Sequence, residues 1–374
     1  MTHREVTLSP EPETMPSHPC PACRLAGSCS SWASGEEITA SNNAVGPRMA
    51  SYVRLPELSL DILSRNLGYL PTNDNTHPQV ARFKANVAKL EGVPPGSVRL
   101  TGSLLDLFTV LPGWLGRKSA WRLAGDFPAY TRFLTGLPIF EILIDLAAET
   151  IAPREVAAAI EGVEQPIVYL TFPVTNPYQQ RTSTAIVEAV LAANAEAVVV
   201  VDNAYRRYGE MTELAVLAHA HERVIYVNTA SKDLFLCGAR VGWLIAGPEL
   251  LAQIDPHVGP YLPSPVSIEQ LNSFLESPAT LERILDTVVA ARGILEDAAE
   301  SLGRRVRTGP GPWVMIYYGD EAASTADALL SRYLIRVQSQ TGLLAGWLRI
   351  SATVPCQAER IAGALRDLAG SAAS

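Results

Sequence analysis

Lys232 stands in VNTASKDLFLCGARVGW, directly after an apolar run. Of the 30 lysines and arginines in the chain, only Lys84, Lys89, Lys118 and Lys232 are lysines. Arginine would serve wherever a fixed positive charge is enough. An amine that must lose its proton and attack a carbonyl has to be lysine, because a guanidinium stays charged. Thr229 and Ser231 before Lys232, and Arg240 after it, offer hydroxyls and a guanidinium fork, a donor set for phosphate. RLTGSLLDL sets Gly102, Ser103 and Leu104 between a strand-like and a helix-like run, where unpaired N–H groups and the helix dipole favour an anion. VVVVDNAYRRYGE ends an apolar run in Asp202, with Tyr205 following. A carboxylate beside four valines needs a partner, either a backbone to cap or a cation. GDFPAY brings Phe127 and Tyr130 after another apolar run, and FPVTNPYQQ brings Asn176 after a third. Each feature alone has an ordinary explanation: aromatics fill cores and Asn-Pro marks turns. Together, phosphate donors, a stacking aromatic, a buried acid and an isolated amine fit pyridoxal 5'-phosphate. That cofactor needs an amine for its Schiff base and an acid to keep its ring nitrogen protonated. Partial burial and nearby positive charge would lower the Lys232 pKa and make it a nucleophile and base.

These residues fall at the ends of strand-like segments, where parallel sheets bind ligands. SVRLTGS, SAWRLAG, PIVYLTFP, AEAVVVVDNAY, RVIYVNTAS and VGWLIAG read as strands, and LLDLFTVLPGWL, PREVAAAIEGV and TSTAIVEAVLAAN as helices. That alternation predicts an α/β fold. AEAVVVVD is apolar on both faces and belongs in the centre of a parallel sheet. QVARFKANVAKLEGV sets Val80, Phe83, Val87 and Leu90 on one helical face, with Gly92 as the stop, and LPELSLDILSRNL reads as a short helix before it. After about residue 250 the pattern changes to a smaller α+β unit. Its helices are IEQLNSFLE, ATLERILDTVVAARGILEDAAESLG and CQAERIAGALRDLAG, and its strands PWVMIYYG, YLIRVQS and GWLRISATV. Arg349 in GWLRIS suits a substrate carboxylate, held by two parallel hydrogen bonds. The expected divisions are a flexible extension (1–36), an arm packing with the small domain (37–75), a large cofactor domain (76–255) and a small C-terminal domain (256–374).

In order, Asn176, Asp202 with Tyr205, Ser231-Lys232, and Arg240 in GARVG resemble the fold-type I aminotransferases of class I/II, nearest to the histidinol-phosphate aminotransferase-like branch. The spacings, 26 residues from Asn176 to Asp202 and 27 from Tyr205 to Lys232, are close to that family's. The resemblance spans roughly residues 40–365. It implies a large domain with a mostly parallel seven-stranded sheet plus a smaller α+β domain, and a homodimer with shared active sites. By the same resemblance Lys232 would form the Schiff base and shuttle the proton at the substrate Cα, and Asp202 would pair with the ring nitrogen. Asn176 and Tyr205 would bind the ring oxygen, and Phe127 would stack on the ring. Gly102, Ser103, Leu104, Thr229, Ser231 and Arg240 would bind the phosphate, joined by Tyr69 from the neighbouring subunit. Arg349 would take the substrate α-carboxylate, and Arg336 the distal end or else nothing more than a surface position. Asn43 of SNNAVGP, in the arm that lines the site, and Tyr130 are the further substrate contacts. The chain departs from the family where Tyr178-Gln179 replaces Thr-Gly after Asn-Pro, where SNNAVGP lacks the arm's acid, and where GSLLDL lacks a polar residue after Ser103. These changes touch substrate more than cofactor contacts.

The implied function is a pyridoxal-phosphate-dependent aminotransferase acting on an amino acid or an amino-acid-derived amine. The alternative keeps the cofactor but decarboxylates, eliminates, oxidises or cyclises an amino acid in a specialised pathway. A third class, regulators built on this fold, carries a DNA-binding domain in front, and residues 1–36 are too short and polar for one. A net charge of −8 and a pI near 5.4 argue against nucleic acid as a partner. Arg304, Arg305 and Arg307 read as a solvated turn. The chain has no long apolar run and no apolar leader, which points away from a membrane and to the cytoplasm. Cys20, Cys23 and Cys29, with His18, are either incidental thiols of a flexible tail or a metal site lacking a second well-spaced pair. Cys237 and Cys356 read as small buried fillers.

Overall fold

The computed structural model describes residues 38–39, 78–134, 136–209, 213–232, 234–258, 263–351 and 354–372. Asn43, Tyr69, Cys20, Cys23, Cys29, the extension, the helix expected at 55–67 and nearly all of the arm lie outside these residues. In chain order the first elements are β1 (Ile38–Thr39), α1 (Pro78–Glu91), β2 (Val98–Thr101), α2 (Leu104–Trp114), β3 (Ser119–Leu123), α3 (Ala129–Phe133), β4 (Ile139–Ile142), α4 (Pro153–Ile160), β5 (Pro166–Thr171), α5 (Thr184–Ala193), β6 (Val198–Asp202), α6 (Glu213–Ala220), β7 (Val224–Thr229), β8 (Gly242–Ile245) and α7 (Pro248–Ile254). There follow α8 (Pro265–Leu275), α9 (Pro278–Ser301), β9 (Val306–Arg307), β10 (Trp313–Tyr317), α10 (Ala322–Tyr333), β11 (Ile335–Arg336), β12 (Gln338–Ser339), β13 (Trp347–Ser351) and α11 (Pro355–Ala372).

Seven strands form one sheet in the order β2–β8–β7–β6–β5–β3–β4. β4, β3, β5, β6 and β7 pair in parallel, and β8 runs antiparallel to both β7 and β2. Both faces are covered, which is why β6 can be four valines and an acid, all buried. Val199 and Val201 face the core built with Val80, Phe83 and Val87 of α1, while Val198 and Val200 face the one built with Leu107, Phe108 and Leu111 of α2. The six strands read from the sequence are all present. The seventh, β4, escapes that reading because it is an edge strand with only Ile142 buried, so it shows no apolar run. The short helices α3, α6 and α7 escape it too.

The second sheet, in the order β12–β13–β10–β9, is antiparallel throughout. Its two faces separate cleanly, as side chains alternate along a strand. Val314, Ile316, Leu348 and Ile350 pack into a core with Val288 and Leu295 of α9 and Ile361 of α11. Trp313, Met315 and Trp347 turn the other way and cluster with Val174, Tyr178 and Tyr205 from the loops of the larger sheet. The expected strand YLIRVQS is split into β11 and β12, and β11 pairs with β1 of the arm in a parallel two-stranded sheet of its own.

The Tyr178-Gln179 substitution has a structural role at this junction. Gln179 Nε2 donates to the Trp313 carbonyl at 2.7 Å, and Gln179 Oε1 accepts from the Gly311 N–H at 3.0 Å. Trp313 Nε1 donates to the Pro177 carbonyl at 2.6 Å. A Cβ on Gly311 would lie 2.7 Å from the Trp313 ring and 2.9 Å from Gln179 Oε1, so only glycine fits there.

Candidate active site

On one edge of the seven-stranded sheet, Gly102 and Ser103 lead from β2 into α2, whose first N–H groups have no partner within the helix. Ser103 Oγ accepts a 2.6 Å hydrogen bond from Arg240 Nη2. Among the described residues, a Cβ added at Gly102 would meet nothing within 4 Å. Arg240 reaches Ser103 from a left-handed backbone, φ 52° and ψ 43°, in the turn between β7 and β8. A non-glycine residue costs about 1–2 kcal/mol in that conformation.

The same turn carries Lys232. Thr229 Oγ1 accepts from the Ser231 N–H at 3.1 Å and donates to the Val241 carbonyl at 3.2 Å. The resemblance assigns Thr229 to the phosphate, and in the fold its hydroxyl reaches the Val241 carbonyl. Thr229 therefore shapes the turn that presents Ser231 and Lys232. Burial lowers the Lys232 pKa most and the charge of Arg349 lowers it further, while Cys237 opposes them more strongly than the charge of Arg240 assists.

β6 ends in Asp202, which is buried. Its Oδ2 accepts from the Tyr130 hydroxyl at 2.8 Å, and its Oδ1 accepts from the Ala204 N–H at 3.2 Å. Burial pushes its carboxyl up to about 6, opposed by those two hydrogen bonds and assisted by the charge of Asp126. Tyr130, read from the sequence as a substrate contact, is fully buried behind this acid. With the Tyr130 proton given to Asp202, Thr171 Oγ1, 3.1 Å away, is the donor to Tyr130. The Phe127 ring stands edge-on to Tyr130 at 5.3 Å and is partly exposed.

Asn176 Nδ2 donates to the Tyr205 hydroxyl at 3.3 Å. Tyr205 in turn is hydrogen-bonded to Arg349, whose own pKa burial lowers. Arg349 lies buried on β13 with its guanidinium 4.7 Å over the Trp313 ring. The structure thus joins Ser103 with Arg240, Tyr130 with Asp202, and Asn176 with Tyr205 and Arg349, and it sets Lys232 in the field of both arginines. Arg336 is not part of this set: it is exposed on β11, in the two-stranded pairing with β1.

Other readings change as well. Cys356 is a buried filler, but Cys237 is only half-buried. Arg304, Arg305 and Arg307 are not a turn: they flank and form β9, with Arg305 exposed, and each guanidinium lies over an aromatic ring, of Tyr318, of Tyr317 and Trp347, and of Tyr178. The sequence pattern does not mark Asp126. It is buried, and its Oδ1 accepts from the Phe127 N–H at 2.7 Å and the Asn176 N–H at 2.9 Å. It ties together the loops that carry the aromatic and the asparagine. An acid directly before the candidate stacking residue was the available signal, hidden because GDF reads as an ordinary turn.

The donor set fits pyridoxal phosphate. Asp202 is a buried acid whose described neighbours are a hydroxyl, a backbone N–H and a second carboxylate, Asp126, and a protonated ring nitrogen is the counter-charge it lacks. Ser103, Arg240 and the backbone at Gly102 form a cradle for an anion.

The family described as Aminotransferase class I and II matches residues 156–366. Histidinol-phosphate aminotransferase of Stenotrophomonas maltophilia is 30% identical over 304 residues, covering 77% of this chain and 82% of that protein. Among solved structures, histidinol-phosphate aminotransferase from Sinorhizobium meliloti, in complex with pyridoxal-5'-phosphate, superposes with a TM-score of 0.75 at 18% identity, covering 90% of this chain and 91% of that one. L-threonine-O-3-phosphate decarboxylase from Porphyromonas gingivalis has the same fold, with a TM-score of 0.69 at 15% identity and coverage of 88% and 99%.

Proposed function

The chain belongs to the class I and II aminotransferases, enzymes dependent on pyridoxal phosphate, and on that premise we propose that it moves an amino group from an α-amino acid or an amino-acid-derived amine, with Lys232 as the residue that holds the cofactor. One observation carries the reading: a half-buried lysine lies in the field of two arginines, Arg240 on the Ser103 cradle and Arg349 beside Tyr205.

When bound, pyridoxal phosphate supplies a carbonyl carbon that takes up an amine and a protonated ring that draws electrons from the bond being broken. The chain's residues do the rest. Gly102, Ser103, Leu104, Ser231 and Arg240 hold the phosphate, and Phe127 covers the ring. Asp202 keeps the ring nitrogen protonated, which requires its own carboxyl to be ionised. Asn176 and Tyr205 hold the ring oxygen, and Arg349 orients the substrate by its carboxylate. Lys232, with its lowered pKa, takes the proton from the substrate Cα at Nζ and returns it. This reading extends to a cofactor domain over 76–255 and a small domain over 256–374. It also extends to a homodimer that shares its active sites and works in the cytoplasm. Among the described residues no helix is long and apolar enough to cross a membrane.

Histidinol phosphate, in the name of several relatives, is the first substrate to try. The altered Tyr178-Gln179 loop is accounted for by its docking on Gly311 and Trp313 and therefore gives no separate support to a non-transaminating outcome. The test is a screen of amino donors against the cofactor-loaded protein, with products identified by mass spectrometry. Conversion of the cofactor to its amino form, reversed by a keto acid, is the expected result. Release of ammonia, CO2 or a cyclic product without the amino form would overturn transamination.

A further inference from the structure

We propose that the cleft between the two sheets binds a small dianion of the phosphate class, at a site separate from the Lys232 group. The cleft measures about 560 Å³. Glu149, Tyr178 and Arg181 line it from the loops of the seven-stranded sheet, and Arg305, Arg307 and Trp347 from the four-stranded one. No residue of the Lys232 group is among its lining.

The register of the small sheet aims these arginines. Tyr317 N–H donates to the Arg305 carbonyl, Arg307 stands opposite Met315, and Met315 stands opposite Arg349. Directly opposed residues share a face. Arg305, Arg307 and Trp347 therefore project from the same face as Arg349, with Arg307 two strand spacings, about 10 Å, from it.

The guanidinia of Arg305 and Arg307 are held in place. Arg305 lies 4.5 Å over Tyr317 and 4.8 Å over Trp347. Arg307 lies 4.4 Å over Tyr178, and its Nε and Nη2 donate to the carbonyls of Tyr178 at 3.0 Å and Ala148 at 2.6 Å. Stacking uses the face of a guanidinium and leaves its in-plane N–H groups for an acceptor. None of Arg181, Arg305 and Arg307 meets a carboxylate within 4 Å among the described residues. Three cations against Glu149 leave the cleft with a charge of +2 in a chain whose net charge is −8. Arg307 is half-buried and Arg181 and Arg305 are exposed at the rim; neighbouring like charges repel, and a phosphate dianion matches both the excess charge and the fork geometry of arginine. A bound dianion would touch both sheets and brace Tyr178, two residues beyond Asn176.

The experiment uses the full chain loaded with cofactor, so that the Ser103–Arg240 cradle is filled. Inorganic phosphate is titrated by calorimetry at about pH 8, where it is mostly a dianion, with acetate at matched ionic strength as the control. Saturable binding of one phosphate per chain, with none of acetate, is expected. Neither Arg181 nor Arg305 makes a side-chain hydrogen bond among the described residues, so the double variant Arg181→Gln, Arg305→Gln should fold and keep its cofactor absorbance. It should bind phosphate roughly tenfold more weakly or worse. Absence of saturable binding, equal binding of acetate, or unchanged affinity in the double variant would each overturn the proposal. Failure of the chain to load cofactor strikes the Lys232 reading alone, because the anion site is read from the difference between the parent and the variant in either state.

Discussion

At the scale of single residues, the proposed chemistry rests on an amine and an acid, each shifted by burial. The proposed role needs Lys232 available without its proton, and burial with the charge of Arg349 favours that form. Lys232→Ala should therefore leave the chain folded but unable to be joined to its cofactor. After borohydride treatment and digestion, mass spectrometry should find the cofactor on the Lys232 peptide of the parent and on no peptide of the variant. Asp202 makes a pH prediction. Its carboxyl, ordinarily near 3.8, is raised to about 6 in the fold. The folded state thus binds that proton more tightly than the unfolded chain does. The stabilisation is fully present below pH 3.8 and is lost as the pH rises through about 6. Without cofactor, the parent should lose up to roughly 3 kcal/mol from this group across that window, while Asp202→Asn loses none of it. Urea unfolding of the two proteins at a series of pH values measures the difference. Cofactor should flatten the parent's profile by supplying the missing positive charge.

At the scale of elements, the site depends on loops being tied to one another. Asp126 accepts the N–H of Phe127 from the loop after β3 and the N–H of Asn176 from the loop after β5. Removing the acceptor leaves two buried donors unmade, at about 1–3 kcal/mol each. Asp126→Ala should lower stability by that order and weaken cofactor binding, because Phe127 and Asn176, the proposed ring cover and ring-oxygen ligand, are both released. Asp126→Asn keeps an acceptor oxygen and should restore much of the stability. It also removes a carboxylate whose charge raises the Asp202 pKa, so the pH at which Asp202 ionises should move down. Denaturant midpoints and cofactor titrations of the two variants separate the tie from the charge; equal losses in both would refute the tie. The Gln179 bridge to Gly311 and Trp313 is a second such device, joining the Asn176 loop to the other sheet.

At the scale of the whole molecule, two sheets meet around one buried aromatic group. Trp313 lies edge-on to Tyr205 at 5.0 Å and beneath the Arg349 guanidinium. The residue that would bind substrate is thereby fixed relative to the residue that would bind cofactor. The homodimer reading predicts that sedimentation equilibrium of the cofactor-loaded protein gives the mass of two chains. A cofactor-loaded, active monomer would remove the ground for a shared site and for Tyr69.

The sequence by itself determined the α/β class, six of the seven strands of the large sheet and the order Asn176, Asp202, Tyr205, Lys232, Arg240. It could do so because central parallel strands are short apolar runs and because the chemistry needs particular residue types at their ends. An imine needs a lysine, and a ring nitrogen needs an acid. Edge strand β4, with one buried residue, carries no such imprint. Partnerships between distant loops leave none either. That the Tyr130 hydroxyl serves Asp202 and not a substrate, that the Thr229 hydroxyl reaches Val241, and that Asp126 joins two loops follow from which groups burial brings within hydrogen-bond reach. Arg305 and Arg307 make the same point. As letters they form a basic turn, and only the register of β9 against β10 faces them into a cleft. Strand pairing decides the face of every side chain, and no local run of residues records which strand the partner will be.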